Sequence, residues 1–173
     1  MKKGDLKLIQ VNLHHSRAAS AALCVAMRNC DVALIQEPWI YKGEIKGRKE
    51  VGGELIYSRS TQHPRTCILV KKSFHILPLM QHCSRDLTAV KIKTSIDGGL
   101  REIILGSAYF PYNDDKPPPP EELERLVMEC RADGTHLIIG CDVKFNITPP
   151  GEVQTSTTEV SPCSITLWLM DWT

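Results

Sequence analysis

Three polar residues follow three separate apolar stretches of the sequence, and their types suit metal-dependent chemistry. Asn12 ends the stretch L-K-L-I-Q-V-N, Glu37 directly follows D-V-A-L-I-Q, and Asp142 directly follows H-L-I-I-G-C. A sheet holds polar groups at its strand ends rigidly while the neighbouring loops leave room for a substrate. One carboxylate pair plus an amide suits a hard divalent cation, because Mg²⁺ takes few carboxylates and keeps water and phosphate oxygens as its other ligands. Each residue alone is typical of an ordinary turn, but three in this order favour a site.

Two aromatic strings adjoin candidate residues. Glu37 stands in Q-E-P-W, where Pro38 favours extended geometry for the glutamate and ends the strand. Tyr109 stands in Y-F-P-Y after another predicted strand, and its hydroxyl can donate a hydrogen bond to a phosphate or orient a nucleophile. An ordinary packed aromatic at a strand end is an equal alternative for the tyrosine.

Histidines and an arginine form two weaker candidates. His14 and His15 follow the first strand, and adjacent residues of an extended segment point to opposite sides, so we expect that they share no face. One of them can approach a phosphate, but exposed loop histidines are the favoured interpretation. Arg85, in the string S-R-D, can bring a positive charge near a phosphate. An exposed turn pair is an equal interpretation of that string.

The elements that must position these residues are predicted from hydrophobic periodicity. A strand over 6–12, a helix over 17–29 capped by Ser16, and a strand over 31–36 form an α/β unit. A predicted helix over 121–131, ended by Gly134, precedes a buried strand over 136–141. Between these units, Gly and Pro punctuate short β segments, and Asp97-Gly98-Gly99 predicts a hairpin. The segments cover 51–57, 66–70, 74–79, 86–93 and 101–109.

Composition bounds the class of protein. The chain has 173 residues, a net charge of +1 and 42% hydrophobic residues, which is typical of one globular domain and not of a disordered chain. The chain has seven cysteines, which is an odd number, and none of them is spaced like the ligands of a zinc site. This pattern indicates reduced thiols in the core and an intracellular protein. No apolar run is long enough for a membrane span. Near-neutral charge argues against a generally basic nucleic-acid coat but not against a locally charged groove.

The order of four strings carries a family resemblance: Q-V-N-L-H-H-S, D-V-A-L-I-Q-E-P-W, S-A-Y-F-P-Y and L-I-I-G-C-D. Together, with lesser strings such as P-R-T-C-I and S-R-D-L-T-A-V, they resemble the endonuclease/exonuclease/phosphatase superfamily over about residues 5–143. More narrowly, they resemble the apurinic-type endonuclease domain of insect non-LTR retrotransposons. The resemblance implies a two-sheet α/β sandwich that nicks target DNA with Mg²⁺ (or Mn²⁺), leaving a 3′-hydroxyl that primes reverse transcription. It also implies a nuclear location for the functional protein.

The resemblance assigns roles to four residues. Glu37 resembles the metal-ligand glutamate, Asn12 the active-site asparagine of the first strand, and Tyr109 the active-site tyrosine. Asp142 resembles the aspartate of a Gly-Asp-x-Asn motif, which activates or orients the attacking water. Lys144 stands where that motif has its asparagine.

The resemblance stops after about residue 143. The family continues with strands of the second sheet and a Ser-Asp-His string whose histidine contacts the scissile phosphate, and all six histidines here lie at or before His136. We therefore expect an incomplete sandwich in which residues 1–143 are the N-terminal part of the domain and 144–173 an atypical tail. Exposed apolar patches, open sheet edges and negligible catalysis should follow. A non-catalytic interaction or nucleic-acid-binding module is the alternative, and a phosphatase or phosphodiesterase acting on a small substrate is a weaker third.

Our hypothesis for the change of character in the tail is a frameshift between about Lys144 and Asn146, which leaves residues 146–173 as out-of-frame translation. From Asn146 onward, the last base of each codon can be joined to the first two bases of the next codon to give a shifted reading frame. Synonymous codons then permit the string H-H-T-x-W-G-S-T-D-I-N-N-R-G-E-S-L-L-D-Y, which resembles the family's own continuation. We predict that the coding nucleotides carry this string in the shifted frame, with a reverse-transcriptase frame downstream. Sequencing of the locus tests this prediction, and early stop codons in the shifted frame would contradict it.

Overall fold

The computed structural model describes residues 6–46, 52–96, 99–111 and 119–142, together with the backbone of 166–170. Two main helices, α1 and α2, a single 3-10 turn at Met80–His82 and eleven strands make up this part of the chain. The helices are α1 Arg17–Ala26 and α2 Glu121–Asp133. The strands are β1 Leu8–Asn12, β2 Val32–Gln36, β3 Ile40–Tyr41, β4 Glu44–Ile45, β5 Gly53–Ile56, β6 Thr66–Lys71, β7 Ile76–Pro78, β8 Leu87–Ile96, β9 Gly99–Tyr109, β10 His136–Asp142 and β11 Thr166–Met170.

Two sheets contain most of these strands. The first has the order β1-β2-β6-β5 and the second the order β11-β10-β9-β8-β7, while β3 and β4 form a separate small hairpin. Only the β1–β2 and β9–β10 pairs run parallel among the described strands. Parallel neighbours need a crossover connection, which α1 and α2 supply. The predicted α/β sandwich is therefore confirmed.

The sheets pack face to face, and the helices cover their outer faces. Inner positions such as Leu34, Ile68 and Leu105 are buried against one another and form the central apolar layer. Leu23 and Met27 of α1 pack in the cluster outside the first sheet. Residues of α2 form the matching cluster outside the second sheet; they are Leu123, Leu126 and Cys130. Burial at this scale drives the sheets together without any cross-link.

Several local predictions are confirmed by backbone geometry. The Ser16 hydroxyl accepts a 3.2 Å hydrogen bond from the Ala19 N–H and caps α1. Gly134 ends α2 in the left-handed conformation with φ +63°. Strands β8 and β9 form the predicted hairpin with Ile96 opposite Gly99, although the turn residues Asp97 and Gly98 lie outside the described part. The β3–β4 hairpin was not predicted, because strands of two residues carry no periodicity.

The tail contributes one described element, β11. It pairs antiparallel with β10, with Cys141 opposite Thr166 and Leu137 opposite Met170. This strand therefore covers the edge of β10, whereas the expectation of open sheet edges elsewhere stays a prediction. Residues 143–165 and 171–173, including Lys144, lie outside the described part, so the boundary at residue 143 stays a prediction. No helix in the described ranges is long and apolar enough to cross a membrane.

Close approach of the sheets requires a glycine in β10. A Cβ built at Gly140 lies 2.7 Å from Gln10 Cγ and 2.9 Å from Leu34 Cδ1 of the facing sheet. We predict that Gly140→Ala lowers the free energy of unfolding by about 1–3 kcal/mol, since an overpacked core must shift. Gly106→Ala in the neighbouring strand is the matched control, because its Cβ meets nothing nearer than 3.6 Å. Urea unfolding of both variants measures the difference, and equal stabilities would contradict the prediction.

Candidate active site

The inner faces of six strands change from apolar to polar toward one end of the sandwich. Side chains alternate between faces, so every second residue of a strand points inward. In β2 the inward series is Val32, Leu34 and Gln36, and in β10 it ends on Gly140 and Asp142. The same end carries polar residues from the other four strands: Asn12, Thr66, Thr88 and Ser107. This polar end is where the candidate residues gather.

Buried hydrogen bonds join the two sheets beneath the site. The Gln36 amide donates to Ser107 Oγ at 2.9 Å and to the Gly140 carbonyl at 3.0 Å. Gln10 Nε2 donates to Gln36 Oε1 at 2.8 Å and to the Cys141 carbonyl at 3.1 Å. Buried amides are costly without partners, so these bonds fix how the sheets stand relative to each other. We did not predict this network. Its signal in the sequence is a glutamine within each of two largely apolar strands, Gln10 in β1 and Gln36 in β2.

Asn12 connects the two sheets at the site itself. Its Nδ2 donates to Asp142 Oδ2 at 2.6 Å, and its Oδ1 accepts from the His14 N–H at 2.8 Å. The asparagine is buried, at 7% exposure, so both contacts hold its amide in one orientation. Asn12 therefore positions the Asp142 carboxylate at the carboxyl end of β10.

Glu37 begins the loop after β2 in a left-handed conformation, with φ +46°. The extended geometry that Pro38 favours is therefore wrong at this residue. Two backbone hydrogen bonds overrule the local preference: the Glu37 N–H donates to the Arg65 carbonyl, and the Glu37 carbonyl accepts from the His15 N–H, each at 2.8 Å. Its side chain is 18% exposed, and its carboxylate accepts a hydrogen bond from the Tyr109 hydroxyl. Such strain is common at functional sites, where the surroundings over-determine the backbone.

Tyr109 stands between Glu37 and an ion pair. Burial raises the pKa of its hydroxyl, and the negative charge of Glu37 raises it further, so the hydroxyl stays protonated and donates. The tyrosine ring stacks on the Arg65 guanidinium with 4.7 Å to the ring centroid. Arg65 Nε and Nη2 in turn donate to the two carboxylate oxygens of Asp86. The Asp86 carbonyl accepts from the Tyr109 N–H at 2.8 Å and closes this small framework.

Arg65 and Asp86 lie beside the candidate site, and we did not single them out from the sequence. The neighbouring Arg85, a candidate from the sequence, is exposed, and its carbonyl accepts a 2.7 Å hydrogen bond from the Arg65 N–H. The strings P-R-T-C-I and S-R-D-L-T-A-V were the signal, since each contributes one partner of the pair. Nothing in either string alone shows that they meet.

His14 and His15 both approach the same carboxylate. His14 Nδ1 lies 3.1 Å from Glu37 Oε2, and His15 Nε2 lies 4.0 Å from Glu37 Oε1. The expectation that the two rings share no face is wrong, because both residues adopt left-handed φ values of 45° and 54° instead of an extended backbone. Their predicted exposure is confirmed, at 57% for each side chain.

The donor set fits a cation bound mainly through solvent and substrate. Glu37 and Asp142 offer carboxylate oxygens, the ligand type that Mg²⁺ prefers. Within the described ranges, no group of three or more His, Cys, Asp or Glu side chains is arranged to hold a metal. Mg²⁺ commonly binds through one or two carboxylates plus water and phosphate, so the few protein ligands are compatible with it.

Comparison with solved structures decides the fold. The chain is similar to the endonuclease domain of TRAS1, a telomere-specific non-LTR retrotransposon, with 23% identity and a TM-score of 0.56 over 80% of this chain. It is similar to a humanized D. rerio TDP2, with 13% identity and a TM-score of 0.57 over 96% of this chain and 84% of that one. The human Nocturnin catalytic domain gives 11% identity and 0.52, covering 95% of this chain and 81% of that one. This chain has an endonuclease/exonuclease/phosphatase-type fold.

The fold predicted from the sequence motifs is thereby confirmed. The match spans 58% of the TRAS1 structure, less than two thirds of it. No family model matches the sequence, and a search of curated proteins finds no match either. The structure brings Asn12, Glu37, Tyr109 and Asp142 together, whereas their chemical roles remain predictions.

The Arg65–Asp86 pair gives a test of the framework behind Tyr109. We predict that Arg65→Lys lowers the free energy of unfolding by about 1–2 kcal/mol, because lysine cannot reproduce the bidentate contact or the stacking. Arg85→Lys is the matched control and should change stability by less than about 0.5 kcal/mol, since Arg85 is exposed. Urea unfolding measures both, and a neutral Arg65→Lys would show that the pair does not support the site.

Proposed function

We propose that this chain is part of a divalent-metal-dependent DNA endonuclease of the retrotransposon type, and that its polar end binds DNA phosphate. One observation carries the proposal: two hydrogen-bonded pairs, Asn12 with Asp142 and Tyr109 with Glu37, lie at the same end of the sandwich, and the charge of Asp142 also acts on Tyr109. Structural packing does not require two carboxylates to gather at a partly open end of a sandwich. Gathered carboxylates are what a phosphodiester-cleaving site needs.

Each residue has a role in this proposal. Glu37 is the ligand that would hold Mg²⁺ (or Mn²⁺), which supplies charge neutralisation at the phosphate when bound. Asp142 orients a water molecule, and Asn12 keeps the Asp142 carboxylate in place. Tyr109 is a protonated donor, because burial and Glu37 raise its pKa, and its hydroxyl is available for a phosphate oxygen.

The similar structures support DNA as the partner. One is the endonuclease domain of a retrotransposon, and another is D. rerio TDP2 complexed with single strand DNA product, at 13% identity and a TM-score of 0.55. Both share the fold of this chain and differ from it in most residues. In the proposal, a nick in target DNA leaves the 3′-hydroxyl that primes reverse transcription in the nucleus.

We further propose that this chain, as given, hydrolyses DNA at a negligible rate. The resemblance implies a histidine that contacts the scissile phosphate, and no histidine follows His136 in the 173 residues. Losing one stabiliser of transition-state charge costs a factor of about 10²–10³ in rate. A module that binds nucleic acid without cutting it is therefore the second candidate, and dependence on a cation separates the two.

We predict that wild-type protein binds a fluorescent DNA duplex more tightly with Mg²⁺ than without, and that Glu37→Gln weakens this binding at least about tenfold, or about 1.4 kcal/mol. Glu54→Gln is the control, because Glu54 is an exposed carboxylate on the first sheet. Supercoiled plasmid should be nicked only at the background rate by all three proteins. Fluorescence anisotropy and gel electrophoresis are the measurements.

The outcomes of these measurements distinguish the endonuclease from the non-catalytic binding module. Nicking that Glu37→Gln or Asp142→Asn abolishes would disprove the inactivity and keep the endonuclease. Binding that ignores both Mg²⁺ and Glu37 would favour the non-catalytic module. A protein that is folded by circular dichroism but binds no DNA would overturn both proposals.

A further inference from the structure

The turn that follows β1 carries an unusual pair of residues. His14 and His15 both have positive φ, as does Glu37, so three of the five such non-glycine residues in the described ranges lie at this one place. Residues other than glycine adopt this conformation uncommonly, although Asn, Asp and His do so more often than the rest, and it persists where neighbouring bonds hold it. Here the His14 N–H donates to Asn12 Oδ1 and the His15 N–H to the Glu37 carbonyl, each at 2.8 Å.

The turn places the two rings differently against Glu37. His15 Nδ1 lies 3.1 Å from the Pro38 carbonyl, which anchors that ring to the backbone, and its Nε2 stays 4.0 Å from Glu37 Oε1. His14 Nδ1 lies 3.1 Å from Glu37 Oε2. Adjacent ligand atoms of an octahedral site with bonds of about 2.1 Å are separated by about 3.0 Å, which is the bond length times the square root of two. The His14–Glu37 pair has this separation, and the His15–Glu37 pair exceeds it.

Both side chains of the closer pair are partly exposed to solvent. The His14 side chain is 57% exposed and that of Glu37 is 18% exposed, so a hydrated cation can approach from outside and keep water on its remaining positions. Imidazole nitrogen suits divalent transition metals, whereas Mg²⁺ prefers oxygen.

We infer that His14 is a second metal ligand beside Glu37 and gives the site a preference for a divalent transition metal over Mg²⁺. This inference rests on the proposed function in one respect, that Glu37 holds the cation. His15 is a positioning residue of the turn and not a ligand. The alternative to shared metal binding is an ion pair between the imidazolium of His14 and the Glu37 carboxylate. That ion pair would compete with any cation for Glu37.

Glycine variants give a matched test, because glycine adopts positive φ without strain and removes only the imidazole. The proteins are wild type, His14→Gly, His15→Gly and Glu37→Gln, each checked for folding by circular dichroism. Isothermal titration calorimetry measures the affinity of each for Co²⁺ and, separately, for Mg²⁺. The Glu37→Gln titration is subtracted, since it reports Co²⁺ bound elsewhere, for example at the partly exposed thiols of Cys24 and Cys30.

We expect His14→Gly to weaken Co²⁺ binding at least about tenfold, as losing a ligand should cost no less than losing an outer partner. Its Mg²⁺ affinity should stay within about twofold, and His15→Gly should resemble wild type for both ions. Tighter binding of both ions by His14→Gly would establish the competing ion pair and overturn the inference. Equal effects of the two glycine variants, or no Co²⁺ binding that depends on Glu37, would overturn it as well. The proposed function fails separately, if Glu37→Gln leaves Mg²⁺-dependent DNA binding unchanged.

Discussion

The packing of two sheets through faces that are apolar at one end and polar at the other is the constraint on which the rest of the structure depends. Where Leu34, Ile68 and Leu105 meet, burial alone holds the sheets together. Where Gln36 meets Ser107, the contact is a hydrogen bond that must form, because an unpaired buried amide is costly. The apolar end holds the two sheets together, and the hydrogen bonds at the polar end fix the position of one sheet relative to the other. A site built at the polar end inherits a fixed geometry from both sheets.

That geometry is reinforced by a second layer of contacts outside the sheets' interior. Arg65 and Asp86 hold each other in a bidentate pair, and the guanidinium supports the ring of Tyr109. Tyr109 then reaches Glu37, whose backbone is kept left-handed by bonds to Arg65 and His15. Each contact restricts the next, so the carboxylate is positioned by several elements that are distant in the sequence. In the proposed function, this pre-organisation would serve the electrostatic stabilisation of a reacting phosphate.

Much of the fold could be predicted because its signals are local. The Ser16 cap, the Gly134 stop and the β8–β9 hairpin follow from residue types at fixed offsets, and the long strands follow from apolar runs. The β3–β4 hairpin and the pairing of Thr166–Met170 with β10 could not be predicted. Neither segment has a length or a hydrophobic period that identifies the strand with which it pairs. Of the candidate site, Asn12, Glu37 and Asp142 were visible because each ends an apolar stretch.

The sequence by itself determined where the strands run and which polar side chains stand at their ends, because those features depend on periodicity and composition over a few residues. The tertiary structure alone decided which of these side chains meet. Asn12 and Asp142 are 130 positions apart and come together only because the sheets stack. His15 turns toward Glu37 with a left-handed backbone that a tertiary hydrogen bond to the Glu37 carbonyl holds, and His14 does so with a local bond to Asn12. Contacts between distant segments carry energies that no short window of sequence contains.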